Sequence, residues 1–241
     1  MPMTRMRLDK YLSKCGQGTR TEAKKLIRGG RVTVNAELVK DAGFVLDAAS
    51  ASVTVDDRLL RYRENHYLML NKPQGVISAT RDRVQPTVLD LLPPEYRHLD
   101  LFPIGRLDKD TEGLVVLTDD GPLTHRLLSP KKQVPKTYLA KVKGTVTPSD
   151  AEHFAAGIEL EDFTTLPAHL EILAAGPQSA VRVTICEGKF HQVKRMFHAL
   201  GKEVLHLQRI ALGGLELDPH LEPGNVRELT DEELALLQKW R

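Results

Sequence analysis

From His66 onward the chain carries two hydrophobic periods that do not take turns, and this restricts its architecture more than any other feature. "KTYLAKVKG" and "AVRVTICEG" place apolar residues at every second position, the spacing of a strand with one buried face. "HYLMLNKP" and "GLVVLT" are short apolar runs of buried-strand type, the first stopped by Pro73. "PSDAEHFAAG", "HQVKRMFHALG" and "TDEELALLQKW" follow helical spacing, and Thr230 with Glu233 opens the last with a capping box. Strands and helices that do not alternate argue against a doubly wound parallel sheet. The pattern predicts an α+β body with a mixed, mostly antiparallel sheet flanked by helices. It holds no GxGxxG and no Walker loop, so no nucleotide cofactor is signalled.

The first sixty residues read differently. Leu8, Tyr11 and Leu12 make one apolar helical face, which Gly16 and Gly18 end. Thr19 and Glu22 open a second helix with a capping box, its inner face made by Ala23, Leu26 and Ile27. "RVTVN" then alternates as a strand, and Asn35 begins a turn. Arg7, Lys10 and Lys14 follow helical spacing on the first helix. Arg20, Lys24, Lys25, Arg28 and Arg31 populate the second helix and its exit. The charged stretch "VDDRLLRYREN" reads as a boundary near residues 60–64, which predicts domains of 1–62 and 63–241.

Net charge sharpens that division. Residues 1–63 carry 13 Lys/Arg against 7 Asp/Glu, whereas the remaining 178 carry 21 against 25. A basic module thus precedes a mildly acidic body, and a concentrated positive field suits a polyanion such as a phosphate backbone. Aromatic residues are sparse, so shape and phosphate recognition are expected over stacking on single strands. Cys15 and Cys186 stand far apart without CxxC spacing, which signals neither a zinc site nor a disulfide framework and makes a reducing cytoplasm the expected compartment. No apolar run approaches the roughly eighteen residues of a membrane span, and no signal-peptide segment opens the sequence.

The stretch "GRLDKDTEGLVVLTDDG", Gly105–Gly121, packs five carboxylates around a short apolar run. Asp108, Asp110, Glu112 and Gly113 mimic the start of a calcium-binding loop, but the twelfth position is Asp119 and the flanks are not helical. A pair of carboxylates across a sugar is a second possibility, with little aromatic support for a carbohydrate cleft. The third is a polar turn, which suits Asp119 and Asp120 ahead of "PLTHRLLSP".

Four segments, in order, resemble those of a known family. "LNKPQG", "GRLDKDTEGLVVLTDDG", "KTY" and "EGKFHQVKRMF" resemble the successive motifs of the pseudouridine synthases, and residues 5–55 resemble the S4 RNA-binding domain. Within that superfamily "HQVKRM" is most similar to the small-ribosomal-subunit pseudouridine synthase A group, whereas large-subunit relatives tend toward "RQIRRM". The resemblance covers essentially the whole chain. It implies an isomerase that converts a specific uridine of 16S rRNA to pseudouridine, without metal or cofactor. The partner it implies is ribosomal RNA, free or in a partly assembled small subunit, and nothing demands more than a monomer. The alternatives are a 23S rRNA synthase and a non-catalytic S4-type assembly factor.

The same resemblance assigns roles. The catalytic aspartate falls on Asp108, the active-site tyrosine on Tyr138, and the basic partner of the acid on Lys194, with Arg195 as second candidate. Arg106 matches the arginine associated with drawing the target base from its stack. Ile185 matches a position packing against uracil, and Asn71 and Lys72 are expected to shape the wall. His191 and Gln192 are read as RNA contacts at most. The chemistry breaks N1–C1′ of uridine and rejoins the base through C5, so one carboxylate suffices, as nucleophile at C1′ or as base for the 2′ proton. Burial favours the neutral form of such an acid, and a cation within about 4–6 Å opposes that.

The charge asymmetry generates a testable outcome. Deleting residues 1–60 is expected to weaken RNA binding and flatten its dependence on salt, because those cations would no longer displace counterions. An unchanged slope of log affinity against log salt would remove the module from RNA binding.

Overall fold

The computed structural model describes residues 5–60 and 62–240. The chain forms two compact units, Met1–His66 with Leu92–Asp100, and Tyr67–Leu91 with Leu101–Arg241. Segment 92–100 therefore joins the first unit, and no cut at a single chain position includes it. Within that unit the His98 Nε2 lies 2.9 Å from the Ser13 carbonyl oxygen.

The first unit contains β1 (Arg5–Arg7), α1 (Leu8–Lys14), α2 (Arg20–Arg28), β2 (Val32–Val34), β3 (Glu37–Leu38), β4 (Val45–Asp47), β5 (Val53–Val55) and β6 (Arg58–Leu59). The Thr19–Glu22 capping box forms at the start of α2. Strands β3-β2-β5-β6 make one antiparallel sheet, with left-handed residues Asn35–Ala36 and Asp56–Asp57 at its two hairpin turns. Leu8, Tyr11, Leu12, Ala23 and Ile27 bury the inner helix faces against Val32, Val34, Val53 and Val55. The stretch expected to be a linker takes part in this core: Leu60 and Tyr62 pack on it, and the Tyr62 ring stacks on Tyr11 at 5.2 Å.

One buried acid organises the basic helices. Asp9 accepts from Arg7 Nε at 3.3 Å and Arg20 Nη2 at 3.1 Å, with Lys24 Nζ at 3.8 Å. Burial works to raise its pKa, yet Arg20 and Arg7 prevail and hold the carboxyl below the usual range. Arg31 pairs with Asp56. Lys10, Lys25 and Arg28 are exposed and meet no carboxylate among the described residues, and Lys14 reaches the Glu64 carbonyl.

The second unit contains β7 (Tyr67–Lys72), β8 (Phe102–Pro103), β9 (Glu112–Thr118), α3 (Gly121–Leu128), β10 (Lys136–Lys143), α4 (Pro148–Ala156), β11 (His169–Ala174), β12 (Gln178–Ile185), α5 (Gln192–Ala199), β13 (Glu203–Leu212), β14 (Leu215–Glu216), β15 (Val226–Glu228) and α6 (Asp231–Gln238). Among the described residues its nine strands form one sheet with the path β11-β12-β10-β13-β9-β7-β15, β14 adding to β13 and β8 to β9. The sheet is antiparallel except where β13 meets β9. Met69, Leu114, Val116 and Leu212 of the sheet pack against Leu123, Leu127 and Leu237 of α3 and α6. The mixed sheet with flanking helices is the α+β fold expected. Asp120 caps α3, accepting from the Leu123 N–H at 2.9 Å and from the Tyr67 hydroxyl at 2.7 Å.

The parallel contact is two residues long, Gln208 opposite Glu112 and Arg209 opposite Gly113. Gly113 has φ +100°, and a Cβ there would lie 2.9 Å from the Arg209 nitrogen and nearer still to its carbonyl oxygen. Gly113→Ala is therefore expected to lower thermal stability sharply: the backbone conformation alone costs about 1–3 kcal/mol in a non-glycine residue. A melting temperature equal to the wild type's would show that β9 and β13 are not pressed together.

Candidate active site

The loop between β8 and β9 carries Asp108, and its main chain is fixed from three sides. The Ser78 hydroxyl donates to the Leu107 carbonyl and accepts from the Leu107 N–H, both at 3.0 Å. The Gly75 N–H donates to the Lys109 carbonyl at 2.9 Å. Lys72 ends β7 fully buried, with its ammonium donating to the carbonyls of Thr111 at 2.8 Å, Pro73 at 3.0 Å and Lys109 at 3.4 Å. Burial pulls that ammonium down to about 8, against the pull of Asp110, Asp108 and Glu112. A strand-end lysine thus holds the acidic loop by its backbone.

Helix α5 brings the cation. Lys194 Nζ lies 3.2 Å from Asp108 Oδ2 and 2.5 Å from Asp110 Oδ1, bridging the two acids. It holds the Asp110 carboxyl below the usual range. The turn before α5 is set by Gln192, which accepts from the Lys189 N–H at 3.0 Å and donates to Glu187 at 2.7 Å. His191, just before Gln192, is in a left-handed conformation, φ +50°, with Nε2 at 3.6 Å from Asp108 Oδ1.

Strands β10, β12 and β13 supply the remaining wall. Tyr138 is paired in register with Val183 on one side and Arg209 on the other, and Ile185 ends β12. Tyr138, Ile185, Arg209 and Asp108 line a cavity of about 110 Å³. It adjoins a wider groove of about 790 Å³ that includes Lys109, Lys189 and Phe190, and Arg106, Asp108 and His191 border both. Asp108 is 27% exposed, so its carboxylate stands at the cavity wall and not in open solvent. Burial pushes the Tyr138 phenol up, with Arg209 opposing and Asp108 adding.

Of the residues singled out in sequence, Asp108, Tyr138, Lys194, Arg106 and Ile185 converge here, with Lys72 behind the loop. Arg195 does not join them: it pairs with Asp162 and lies over the Phe163 ring at 5.3 Å, so Lys194 alone of the two meets Asp108. Asn71 points elsewhere as well, donating to the Leu221 carbonyl at 2.7 Å and tying down the 221–225 turn. The calcium alternative fails on geometry, since Asp108 and Asp110 turn to Lys194 while Glu112 meets His206 at 2.7 Å. Arg209 was missed. Its signal was an arginine two residues after Leu207, on the apolar face of an alternating strand.

Comparison with known proteins decides the family. Residues 66–199 match the RNA pseudouridylate synthase family model, and residues 6–50 match the S4 domain. The chain belongs to the pseudouridine synthase family. The synthase is 48% identical to an RNA pseudouridine synthase of Bacillus subtilis, YtzG, over 97% of this chain and 99% of that one. It is 44% identical to the ribosomal small subunit pseudouridine synthase A of Escherichia coli K12, over 95% and 99%. A crystal structure of a pseudouridylate synthase superposes with a TM-score of 0.68 at 41% identity, covering 96% and 99%. The synthase is thus an isomerase acting on RNA.

Lys72 yields a measurable consequence. Replacing it by methionine strands three carbonyls and is expected to cost about 1–3 kcal/mol at pH 7. Because its folded pKa is depressed, the wild-type folded state sheds this proton near pH 8 while the unfolded chain keeps it to about 10.4. Wild-type stability relative to Lys72→Met should therefore rise across that window. A difference that stays flat from pH 7 to 10 in denaturant titrations would contradict the burial of a charged amine.

Proposed function

We propose that this synthase isomerises a specific uridine of 16S rRNA, with Asp108 as the carboxylate that acts on the ribose. The observation that carries the reading is the meeting, at one small cavity, of Asp108 on Lys194 with Tyr138 and Ile185. Asp108 serves as nucleophile at C1′ or as base for the 2′ proton, and either role needs an anion kept beside a cation. Tyr138 receives the flipped uracil by stacking, worth about 1–3 kcal/mol against an extrusion cost of a few. Ile185 packs on the base, and exposed Arg106 at the mouth of both spaces assists its withdrawal from the stack. Lys72 positions the loop.

The choice of 16S rRNA is supported by the likeness to the E. coli small-subunit enzyme. The basic residues of the S4-like region, proposed as a domain ending near residue 62, hold the RNA through phosphates. The proposed setting is a monomer acting in the cytoplasm on rRNA, free or in a partly assembled small subunit.

Incubating the protein with 16S and 23S rRNA and mapping pseudouridine tests the substrate. Product in 23S alone would replace the small-subunit reading, and product in neither would end it. Asp108→Asn is expected to reduce product below detection while RNA binding stays within a few fold. Turnover by that variant would move the chemistry to another residue.

A further inference from the structure

The cavity contains a charge that the proposed reaction has not yet used. Arg209 is buried on β13, and its Nε donates to the Leu114 carbonyl at 2.8 Å. Its Nη2 is shut off from solvent without a hydrogen-bond partner. No carboxylate pairs with it among the described residues, and its neighbour across the sheet is the neutral phenol of Tyr138. A second cation, Lys136, lines the same cavity with its ammonium donating to the Val134 carbonyl at 2.9 Å. Burial, then the Arg209 charge, push that ammonium down. Lys194, by contrast, is taken by Asp108 and Asp110. The inner wall therefore holds two cations that pair with no carboxylate among the described residues, Lys136 feeling Glu187 only through its field, and a buried guanidinium does not shed its proton.

The chemistry names what offsets it. When N1–C1′ breaks, the bonding pair leaves with the base, whether Asp108 forms a bond to C1′ or removes the 2′ proton so that C1′ and C2′ become doubly bonded. The base is then an anion with its charge spread from N1 onto O2 and O4. Rejoining through C5 uses the ring's own electrons, and the proton released at C5 is replaced by one gained at N1. We infer that Arg209, backed by Lys136, binds the detached uracil as its anion by donating from its guanidinium to a ring carbonyl oxygen. This rests on the proposed synthase reading, and it adds an electrophilic residue aimed where negative charge develops. It also explains why an arginine occupies an apolar strand face: the substrate supplies its counter-charge.

The test compares wild type, Arg209→Met and Arg209→Lys in single-turnover consumption of the target nucleoside, on RNA carrying uridine or 5-fluorouridine there. Fluorine stabilises the base anion, so a variant lacking the cation should be partly relieved by it. Arg209→Met is expected to fold with an unchanged or higher melting temperature, to bind RNA within a few fold, and to react about 100-fold more slowly with uridine. Its deficit on 5-fluorouridine should shrink to about tenfold, and Arg209→Lys should recover part of the rate. Equal deficits on both bases would make Arg209 a positioning residue only, and a rate within threefold of wild type would overturn the inference. Should Arg209→Met not fold, Lys136→Met is read the same way, with a smaller loss and the same relief expected. An inactive wild type would sink the synthase reading itself, whereas an active wild type with an unaffected Arg209→Met sinks this inference alone.

Discussion

Strands β9 and β13 run side by side for two residue pairs, and the site is assembled where they part. At Gly113 the backbone of Arg209 lies too near for any side chain. One residue on, the ladder has ended, and the Arg209 side chain takes the Leu114 carbonyl that a strand neighbour would otherwise satisfy. The splaying therefore does two jobs. It opens the cavity against Tyr138, and it obliges a long polar side chain to enter it, since a buried carbonyl without a donor is costly. The loop bearing Asp108 hangs on the near end of the same junction, where Lys72 gathers the carbonyls of Lys109 and Thr111. Burying an ammonium is unfavourable, and it is offset here by three carbonyl acceptors and the field of the acids around it.

Those acids repel one another unless they are separated, and the structure separates them by partner. Asp108 and Asp110 share Lys194, while Glu112, already in β9, faces His206 of β13. Asp110 is far more exposed than Asp108 and sits closer to the lysine. It thereby fixes the ammonium at a point from which Asp108 is still in reach, and Asp108 keeps lone pairs available toward the cavity. A tighter, bidentate grip on Asp108 by an arginine would consume both of its oxygens.

What could be read from sequence follows the range of the interactions. Capping boxes at Thr19–Glu22 and Thr230–Glu233 are local and formed as expected. The strands of the sheet were legible as short periodic runs, because burial on one face imposes a period of two whatever the partner. Lys72 was legible only as the end of a strand, since two of its three acceptors lie 37–39 residues further on. Arg195 and Lys194 are neighbours in sequence with opposite fates, because adjacent helical residues point about 100° apart and only one faces the acidic loop. Leu60 and Tyr62 looked like linker since two apolar residues among charges carry no period. Their burial depends on the Tyr11 ring, which spacing alone does not reveal.

The basic module shows the same dependence on long-range partners. Eight cations were read there as one RNA-facing set, yet Arg7, Arg20 and Lys24 converge on Asp9 and Arg31 on Asp56. This pairing does not abolish the positive face. Three cations around one buried carboxylate still leave a net positive cluster, and the acid is inaccessible to a polyanion outside. Its effect is to hold the outward guanidinium and ammonium groups in place, so that a phosphate meeting them need not order three long side chains afresh. Lys10, Lys25 and Arg28 are exposed, pair with no carboxylate among the described residues, and add charge to the face. In the proposed reading, such a face would sense the spacing of phosphates through its paired groups and gain affinity through its unpaired ones, the division of labour that recognition of a folded RNA by shape requires.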